Sequence, residues 1–207
     1  MKHTIEVTKR AHYYSSPATG NVKGIVITIH GYAQLASEFI EEFSELSTFG
    51  YNVYAPEALS TFYNKLRKPV ANWMTTHERE DEIRDYVNFL NKFTETIKLK
   101  HPDLPIYLIG FSQGVSTLLR WYAESNIVAN EVHLIAGSIP EEITATNFEK
   151  TTNKYFYYYG THDNLVKKEQ ADIYWHQLKK LAASAEYISF EGRHEIPKKL
   201  LAHFCNM

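Results

Sequence analysis

Six short apolar runs, separated by stretches with helical periodicity, constrain the fold of this chain more than any other feature. The runs cover residues 23–31, 51–56, 106–110, 131–138, 154–161 and 185–192. Amphipathic helical patterns follow at 37–50, 75–100, 113–125, 167–183 and 196–205. Continuous apolar strands that alternate with helices belong in a mostly parallel sheet that helices cover on both faces. The sequence therefore predicts one doubly wound α/β domain over residues 1–207.

Four local patterns refine this prediction. Residues 3–16 alternate enough to add an antiparallel hairpin at one edge of the sheet. Thr75 and Glu78 fit a capping box at the start of the longest helix. Residues 57–74 show no clear period, so we expect a surface excursion there. Only about fifteen residues join the strand at 131–138 to the strand at 154–161, which predicts a minimal lid.

Composition excludes several classes of function. The 207-residue chain has a net charge of −2 and scattered basic residues, which argues against nucleic-acid binding. Its single cysteine, Cys205, cannot form an internal disulfide, and the sequence lacks a Cys/His cluster with metal-binding spacing. Its apolar runs are too short for a signal peptide or a membrane span. We expect a cytoplasmic protein without a metal or cofactor, and the sequence leaves a homodimer open.

A serine between two glycines provides the first indication of chemistry. Ser112 lies in the stretch Gly-Phe-Ser-Gln-Gly, residues 110–114, directly after an apolar strand and directly before a helix. A strand-to-helix turn this tight leaves no room for side chains two residues from the serine, and it strains the serine backbone while exposing the hydroxyl. The alternative is an ordinary turn or helix-capping serine. We interpret Ser112 as a nucleophile.

An acid and a histidine follow the serine in the order that catalysis on such a sheet requires. Asp163 comes just after the strand at 154–161, and His194 comes just after the last strand. The carboxyl ends of parallel strands lie at one edge of the sheet, where the acid can orient the histidine as the base for the serine. His133 lies within a strand, where a buried structural role fits better. We predict a triad of Ser112, His194 and Asp163.

The negative charge that develops during acyl transfer needs hydrogen-bond donors. One predicted donor is the backbone N–H of Gln113, the residue after the nucleophile. The second should come from the turn after the first long strand, and we assign it to the N–H of Tyr32. The neighbouring His30 is expected to brace this loop.

These motifs resemble those of the α/β-hydrolase superfamily. More narrowly, residues 30–34, 110–114 and 160–166 with the later Gly-Arg-His resemble the small phospholipase/carboxylesterase group that includes acyl-protein thioesterases. The resemblance covers about residues 20–205 and implies the α/β-hydrolase fold, the same triad and the same oxyanion hole. The sequence departs from the usual pattern at Ala33 and Gln34, where that group has a glycine and an acid, and at Val115.

The resulting functional hypothesis is a serine esterase that acts on a small-molecule acyl ester. Short or medium acyl esters are expected, with thioesters or lysophospholipids as further options. The predicted pocket residues are Phe62, Tyr63, Trp73, Met74 and Ile139. The same triad would also serve an amidase or peptidase. A non-catalytic binding protein with this fold is the alternative from another functional class.

Overall fold

A computed structural model of the protein describes residues 1–147 and 154–207. Its centre is a seven-stranded sheet in the order β1-β3-β2-β6-β7-β8-β9. The strands of this sheet are β1 (Tyr13–Ser16), β2 (Gly24–Ile29), β3 (Tyr51–Pro56), β6 (Ile106–Phe111), β7 (Glu131–Ile135), β8 (Lys154–Gly160) and β9 (Glu186–Phe190). β1 pairs antiparallel with β3 and all other neighbours are parallel. The predicted mostly parallel sheet is confirmed.

Helices cover both faces of the sheet, as predicted. They are α1 (Ala36–Phe39), α2 (Ser44–Thr48), α3 (Arg79–Lys100), α4 (Gln113–Glu124), α5 (Lys168–Leu181) and α6 (Lys198–Cys205). Alternate residues of β2 enter separate apolar cores. Ile25 and Ile27 pack in the core that contains residues of α3, α4 and α5, and Val26 packs in the core that contains residues of α1, α2 and α6. Within the described chain, no helix has the length and apolar character that a membrane crossing requires.

The chain start does not form the predicted hairpin. Only β1 forms there within the described residues, and it pairs with β3 instead of with a second N-terminal strand. Residues 1–12 are all exposed. A strand there would have no apolar face to bury, and an isolated hairpin is marginally stable at best.

The single helix predicted at 37–50 is divided into three pieces. A 3₁₀ turn, Ile40–Phe43, separates α1 from α2. Ile40, Phe43 and Leu46 are all buried, and their spacing of three residues suits the 3₁₀ winding of three residues per turn. The apolar face was correct, but the uniform helix was not.

Residues 57–74 combine an exposed tip at residues 65–69 with a buried base, and they have more regular structure than the predicted surface excursion. They contain β4 (Ser60–Tyr63) and β5 (Pro69–Asn72), which form an antiparallel pair. The residues from Val70 to Trp73 are buried, and Ala71 forms an isolated bridge with Gln34. This β4–β5 hairpin therefore attaches to the loop that follows β2.

The longest helix, α3, begins four residues later than predicted. Glu78 has a left-handed backbone with φ 54°, so it precedes the helix instead of completing a capping box. The Thr75 hydroxyl donates to the Glu82 carboxylate at 3.1 Å. The short connection predicted between β7 and β8 includes residues 148–153, which lie outside the described residues.

Candidate active site

Ser112 occupies the turn between β6 and α4 with a strained backbone. Its φ of 54° and ψ of −119° lie outside the regions that residues with a side chain favour. Its N–H donates to the Ile135 carbonyl at 2.9 Å, which joins the turn to the end of β7. The side chain makes no capping hydrogen bond to α4, unlike the side chain of an ordinary N-cap serine. The hydroxyl is thus free for another role.

The two glycines of the motif have the steric reason that the sequence suggested. A Cβ at Gly110 would lie 2.9 Å from the Gly114 carbonyl oxygen. A Cβ at Gly114 would lie 2.1 Å from the Ile29 carbonyl oxygen and 2.7 Å from that of His30. Backbone atoms cannot move away as a flexible side chain could. The turn therefore requires glycine at both positions.

Gly137 supports the same turn, and the sequence reasoning missed it. A Cβ there would lie 2.2 Å from the Ser112 carbonyl oxygen and 2.5 Å from the Val115 side chain. The available signal was its position two residues after β7, because the loops that follow parallel strands lie at the same edge of the sheet as Ser112.

Asp163 and His194 meet at that edge of the sheet. The Nδ1 atom of His194 lies 2.8 Å from Oδ2 of Asp163. The other carboxylate oxygen accepts the N–H groups of Leu165 at 2.7 Å and Val166 at 2.9 Å. The Asp163 side chain is fully buried and that of His194 is 17% exposed. The buried carboxylate fixes the imidazole through Nδ1 and leaves Nε2 as the basic nitrogen.

The histidine ring lies beside the serine turn. Its centroid is 4.8 Å from that of Phe111, the residue before Ser112. Within residues 1–147 and 154–207, no hydrogen bond joins the Ser112 hydroxyl to His194. Such bonds are often loose in unliganded enzymes and shorten when substrate binds. The structure thus brings all three predicted triad residues to one edge, with the Asp163–His194 bond already formed.

The loop after β2 lies directly against the nucleophile. A Cβ at Gly31 would lie 3.1 Å from the Ser112 Cβ, and the Gly31 N–H donates to the Gln34 side chain at 2.7 Å. Ala33 has a left-handed φ of 58°, and its N–H donates to Ala71. Tyr32 is 57% exposed, and its ring lies 5.5 Å from that of Phe62. The predicted oxyanion loop is therefore held between Ser112 and the β4–β5 hairpin.

His30 is buried behind this loop. Its Nδ1 lies 2.8 Å from the Gly31 carbonyl oxygen, and its Nε2 accepts the N–H of Ala58 at 3.1 Å. Burial lowers the pKa of His30 to about 4, although the bond to Gly31 acts in the opposite direction. The ring is neutral at neutral pH. Its contacts are those of the structural brace expected from the sequence.

The Gln113 side chain fastens the β4–β5 hairpin over the serine turn. Its amide nitrogen donates to the Asn72 side chain at 2.8 Å and to the Met74 carbonyl at 2.9 Å. Its amide oxygen accepts the Trp73 N–H at 3.3 Å. Sequence reasoning assigned Gln113 only its backbone donor, and it missed Asn72 because the hairpin itself was not predicted.

The predicted pocket residues occupy different environments. Trp73 is 2% and Ile139 is 3% exposed, and both pack in the core. The Trp73 indole donates to the His30 carbonyl at 2.9 Å, so it supports the loop from behind. Tyr63 is 75% exposed. Phe62 and Met74 are half-buried, and Phe62 lies against Tyr32.

Comparisons with known proteins identify a family and a fold for this chain. A family model described as "Serine hydrolase (FSH1)" matches residues 21–203. None of the curated proteins compared with the chain matches it.

Three solved structures illustrate the likeness in fold. Esterase PE8 is 18% identical, with a TM-score of 0.72 over 96% of this chain and 97% of that chain. Acyl-protein thioesterase 2 from Zea mays is 14% identical, with a TM-score of 0.73 over 95% and 97%. SOBER1 from Arabidopsis thaliana is 15% identical, with a TM-score of 0.69 over 88% and 96%. At these identities the likeness establishes the fold, and the predicted α/β-hydrolase fold is confirmed.

Proposed function

Since the chain belongs to the FSH1 serine hydrolase family, we propose that it cleaves carboxylic esters through an acyl-enzyme on Ser112. The observation that carries this proposal is the 2.8 Å bond between Asp163 and His194 at the edge where the strained Ser112 turn lies. Two of the similar structures are an esterase and an acyl-protein thioesterase, which favours esters and thioesters over amides.

In the proposed reaction, the Ser112 hydroxyl attacks the acyl carbon while Nε2 of His194 takes its proton. Asp163 keeps the imidazole in the required tautomer and stabilises it while it is charged. The histidine then gives the proton to the leaving alcohol. In a second step, water attacks the acyl carbon while the same histidine takes its proton. The bond to Ser112 Oγ then breaks, the carboxylic acid leaves, and the histidine returns the proton to Ser112.

We assign the oxyanion hole to the backbone N–H groups of Gln113 and Tyr32. Gln113 is the first residue of α4, where the helix N-terminus favours negative charge. Gly31 has no side chain to separate the loop after β2 from Ser112. Donors fixed in advance stabilise the developing charge without reorganising during the reaction.

For the acyl group, we propose a short or medium chain that lies along an open aromatic wall. Tyr32 and Phe62 contact each other beside the oxyanion loop, and Tyr32 is largely exposed. Met74 is half-buried next to the Gln113 side chain. A wall that is open to solvent can cover only part of a long chain, so we expect the rate to stop rising with chain length.

We also propose a cytoplasmic location. Cys205 is the single cysteine and it is free and exposed, which suits a reducing compartment. Cell fractionation with an antibody to the native chain would test this location.

The first experiment is labelling with a fluorophosphonate probe, with the modified peptide identified by mass spectrometry. We expect labelling of Ser112 in the wild type and its loss in His194→Ala. His162→Ala is the matched control, because this exposed histidine is adjacent to Asp163 and has no assigned role. A well-folded wild type that does not label would contradict the proposal and favour a binding protein.

Substrate class is tested separately with p-nitrophenyl esters of graded chain length and matched p-nitroanilides. Faster cleavage of short and medium esters than of the anilides supports the esterase assignment. Preferential cleavage of the anilides would identify an amidase with the same triad.

A further inference from the structure

Two histidines and a glutamate meet at the sheet edge opposite the proposed active site. Glu131 is the first residue of β7 and His133 is the third, whereas the triad lies beyond the carboxyl ends of the strands. His203 reaches them from the last turn of α6. One ligand atom from each residue lies within 4.8 Å of the others. The sequence did not predict this cluster, because His203 follows His133 by 70 residues.

His133 directs an unpaired nitrogen into this cluster. The residue is fully buried, and within the described chain its Nε2 has no hydrogen-bond partner. Its Nδ1 lies 3.1 Å from the Tyr158 hydroxyl, and its ring stacks on Phe156 with centroids 4.8 Å apart. Both contacts fix the ring plane. Nε2 therefore points to the Glu131 carboxylate, 3.3 Å away, without forming a hydrogen bond to it.

In this arrangement a nitrogen and a carboxylate oxygen face each other, and a cation between them would stabilise both. When the Nδ1–H donates to Tyr158, Nε2 presents a lone pair to a carboxylate oxygen that also presents lone pairs. A buried unpaired acceptor next to a buried anion is unfavourable unless a positive charge lies between them.

The distances suit tetrahedral zinc. Bonds of about 2.0–2.1 Å from zinc to nitrogen and oxygen give an edge of about 3.3 Å between neighbouring ligand atoms. The separation between Glu131 Oε2 and His133 Nε2 is 3.3 Å. His203 Nε2 lies 2.6 Å from the same carboxylate oxygen, so it would have to move outward by less than about 1 Å. Its side chain is 31% exposed, so the ring is not enclosed by the core.

We propose that Glu131, His133 and His203 form a binding site for a divalent transition-metal cation, with Zn²⁺ as the best fit. Two imidazoles and one carboxylate are a common zinc ligand set, and water would complete the tetrahedron. The contact between His133 Nδ1 and the Tyr158 hydroxyl is in the position of the outer hydrogen bond that metal-bound histidines usually have. The bound ion would join β7 to α6 and thereby fasten the C-terminal helix to the sheet.

Among residues 1–147 and 154–207, Lys154 also forms an ion pair with Glu131. Its ammonium lies 3.9 Å from the other oxygen of Glu131, and its side chain is 67% exposed. It contacts the oxygen that faces away from the histidines, so it does not occupy the position proposed for the metal.

The test is a titration of the chelator-treated full chain with ZnCl₂, followed by calorimetry and by thermal unfolding. We expect one zinc ion per chain and a rise in the unfolding temperature. Cobalt(II) should give the visible absorption of a tetrahedral complex. Loss of one of the three ligands should weaken zinc binding by more than about 100-fold, since changes in outer contacts alone cost about 10–100-fold.

Two variants remove ligands and one serves as a control. His203→Gln removes a half-buried ligand and should fold, whereas Glu131→Gln keeps the shape of a buried ligand. His176→Gln changes an exposed histidine on α5 and should bind zinc as the wild type does. Circular dichroism establishes that each variant is folded.

Stoichiometric zinc binding that is lost in folded His203→Gln and kept in His176→Gln supports the proposal. Absence of stoichiometric binding to the wild type would overturn it and would leave the three residues as a proton-sharing cluster. Equal binding by both histidine variants would also overturn it, because the metal would then lie elsewhere.

Discussion

At the scale of single residues, the Asp163 carboxylate has two separate tasks, one for each oxygen. One oxygen holds the turn through two backbone N–H groups, and the other contacts the His194 imidazole. Asp163→Asn should keep the turn, because an amide oxygen still accepts those N–H groups. The new NH₂ group would instead donate to Nδ1 of His194 and place the ring proton on Nε2, which removes the base.

We therefore expect Asp163→Asn to lower kcat by about 10³–10⁴-fold with little change in the unfolding temperature. Steady-state kinetics on a p-nitrophenyl ester and a thermal melt check the two parts. An unfolded variant would show that the carboxylate charge is needed for the turn itself.

Gly114 tests whether the serine turn is as tight as the geometry indicates. Gly114→Ala would place a methyl group 2.1 Å from the Ile29 carbonyl oxygen. We expect a loss of at least about 3 kcal/mol in the free energy of unfolding, from overpacking against backbone. Gly20→Ala is the comparison, because a Cβ there meets nothing within 4 Å, although its φ of 91° imposes a smaller strain of about 1 kcal/mol. Urea denaturation measures both, and equal losses would contradict the steric argument.

Ala33 is strained where the resembling esterase group has glycine. A left-handed φ of 58° costs a residue with a Cβ about 1 kcal/mol. Glycine avoids this strain, but it loses more conformational entropy on folding, which offsets part of the gain. Ala33→Gly should therefore raise the free energy of unfolding by up to about 0.5 kcal/mol. A decrease in denaturant midpoint would mean that the Ala33 methyl group contributes packing that outweighs the strain.

At the scale of elements, the Gln113 side chain is one of the contacts that hold the β4–β5 hairpin over the serine. Gln113 makes three hydrogen bonds to residues 72–74, each worth about 1 kcal/mol. In Gln113→Ala we expect the Trp73 amide to exchange with solvent about 10–100-fold faster, and kcat/KM to fall because the oxyanion loop loses its support.

Hydrogen exchange followed by mass spectrometry measures this local opening. Asn64→Ala is the matched control, since the Asn64 side chain accepts the N–H groups of Leu66 and Lys68 within the turn of the same hairpin. It should speed exchange at the hairpin tip and leave Trp73 protected. Equal exchange at Trp73 in both variants would show that the hairpin is held by other contacts.

The hairpin also shows which features the sequence could predict. Ser112, Asp163 and His194 each follow a strand that the sequence predicts, so strand order alone places them at one edge of a parallel sheet. Local pattern carries that information. The hairpin is instead held by distant residues, among them Gln113, and its short strands do not stand out as apolar runs in the sequence. Long-range polar contacts of this kind leave no periodic trace.

At the scale of the whole molecule, two buried histidines make stability depend on pH. Burial lowers the pKa of His30 to about 4 and also lowers that of His133, where Glu131 acts in the opposite direction. In the unfolded chain both should titrate near 6.5. Between these values the unfolded state binds more protons than the folded state, so stability rises with pH. Stability is complete above about pH 6.5 and is lost progressively as the pH falls toward 4.

For His30 alone, a shift from about 6.5 to about 4 corresponds to about 2 kcal/mol lost between pH 8 and pH 5. His30→Gln keeps a polar side chain behind the oxyanion loop but cannot take up this proton. We expect it to be less stable than the wild type at pH 8 and to lose about 2 kcal/mol less on acidification. Urea denaturation at both pH values measures the two differences in stability. His162→Gln is the control, because it removes one histidine at an exposed position. If His30→Gln lost as much stability as the wild type, His30 would be protonated within the folded protein, and the neutral brace behind the oxyanion loop would be excluded.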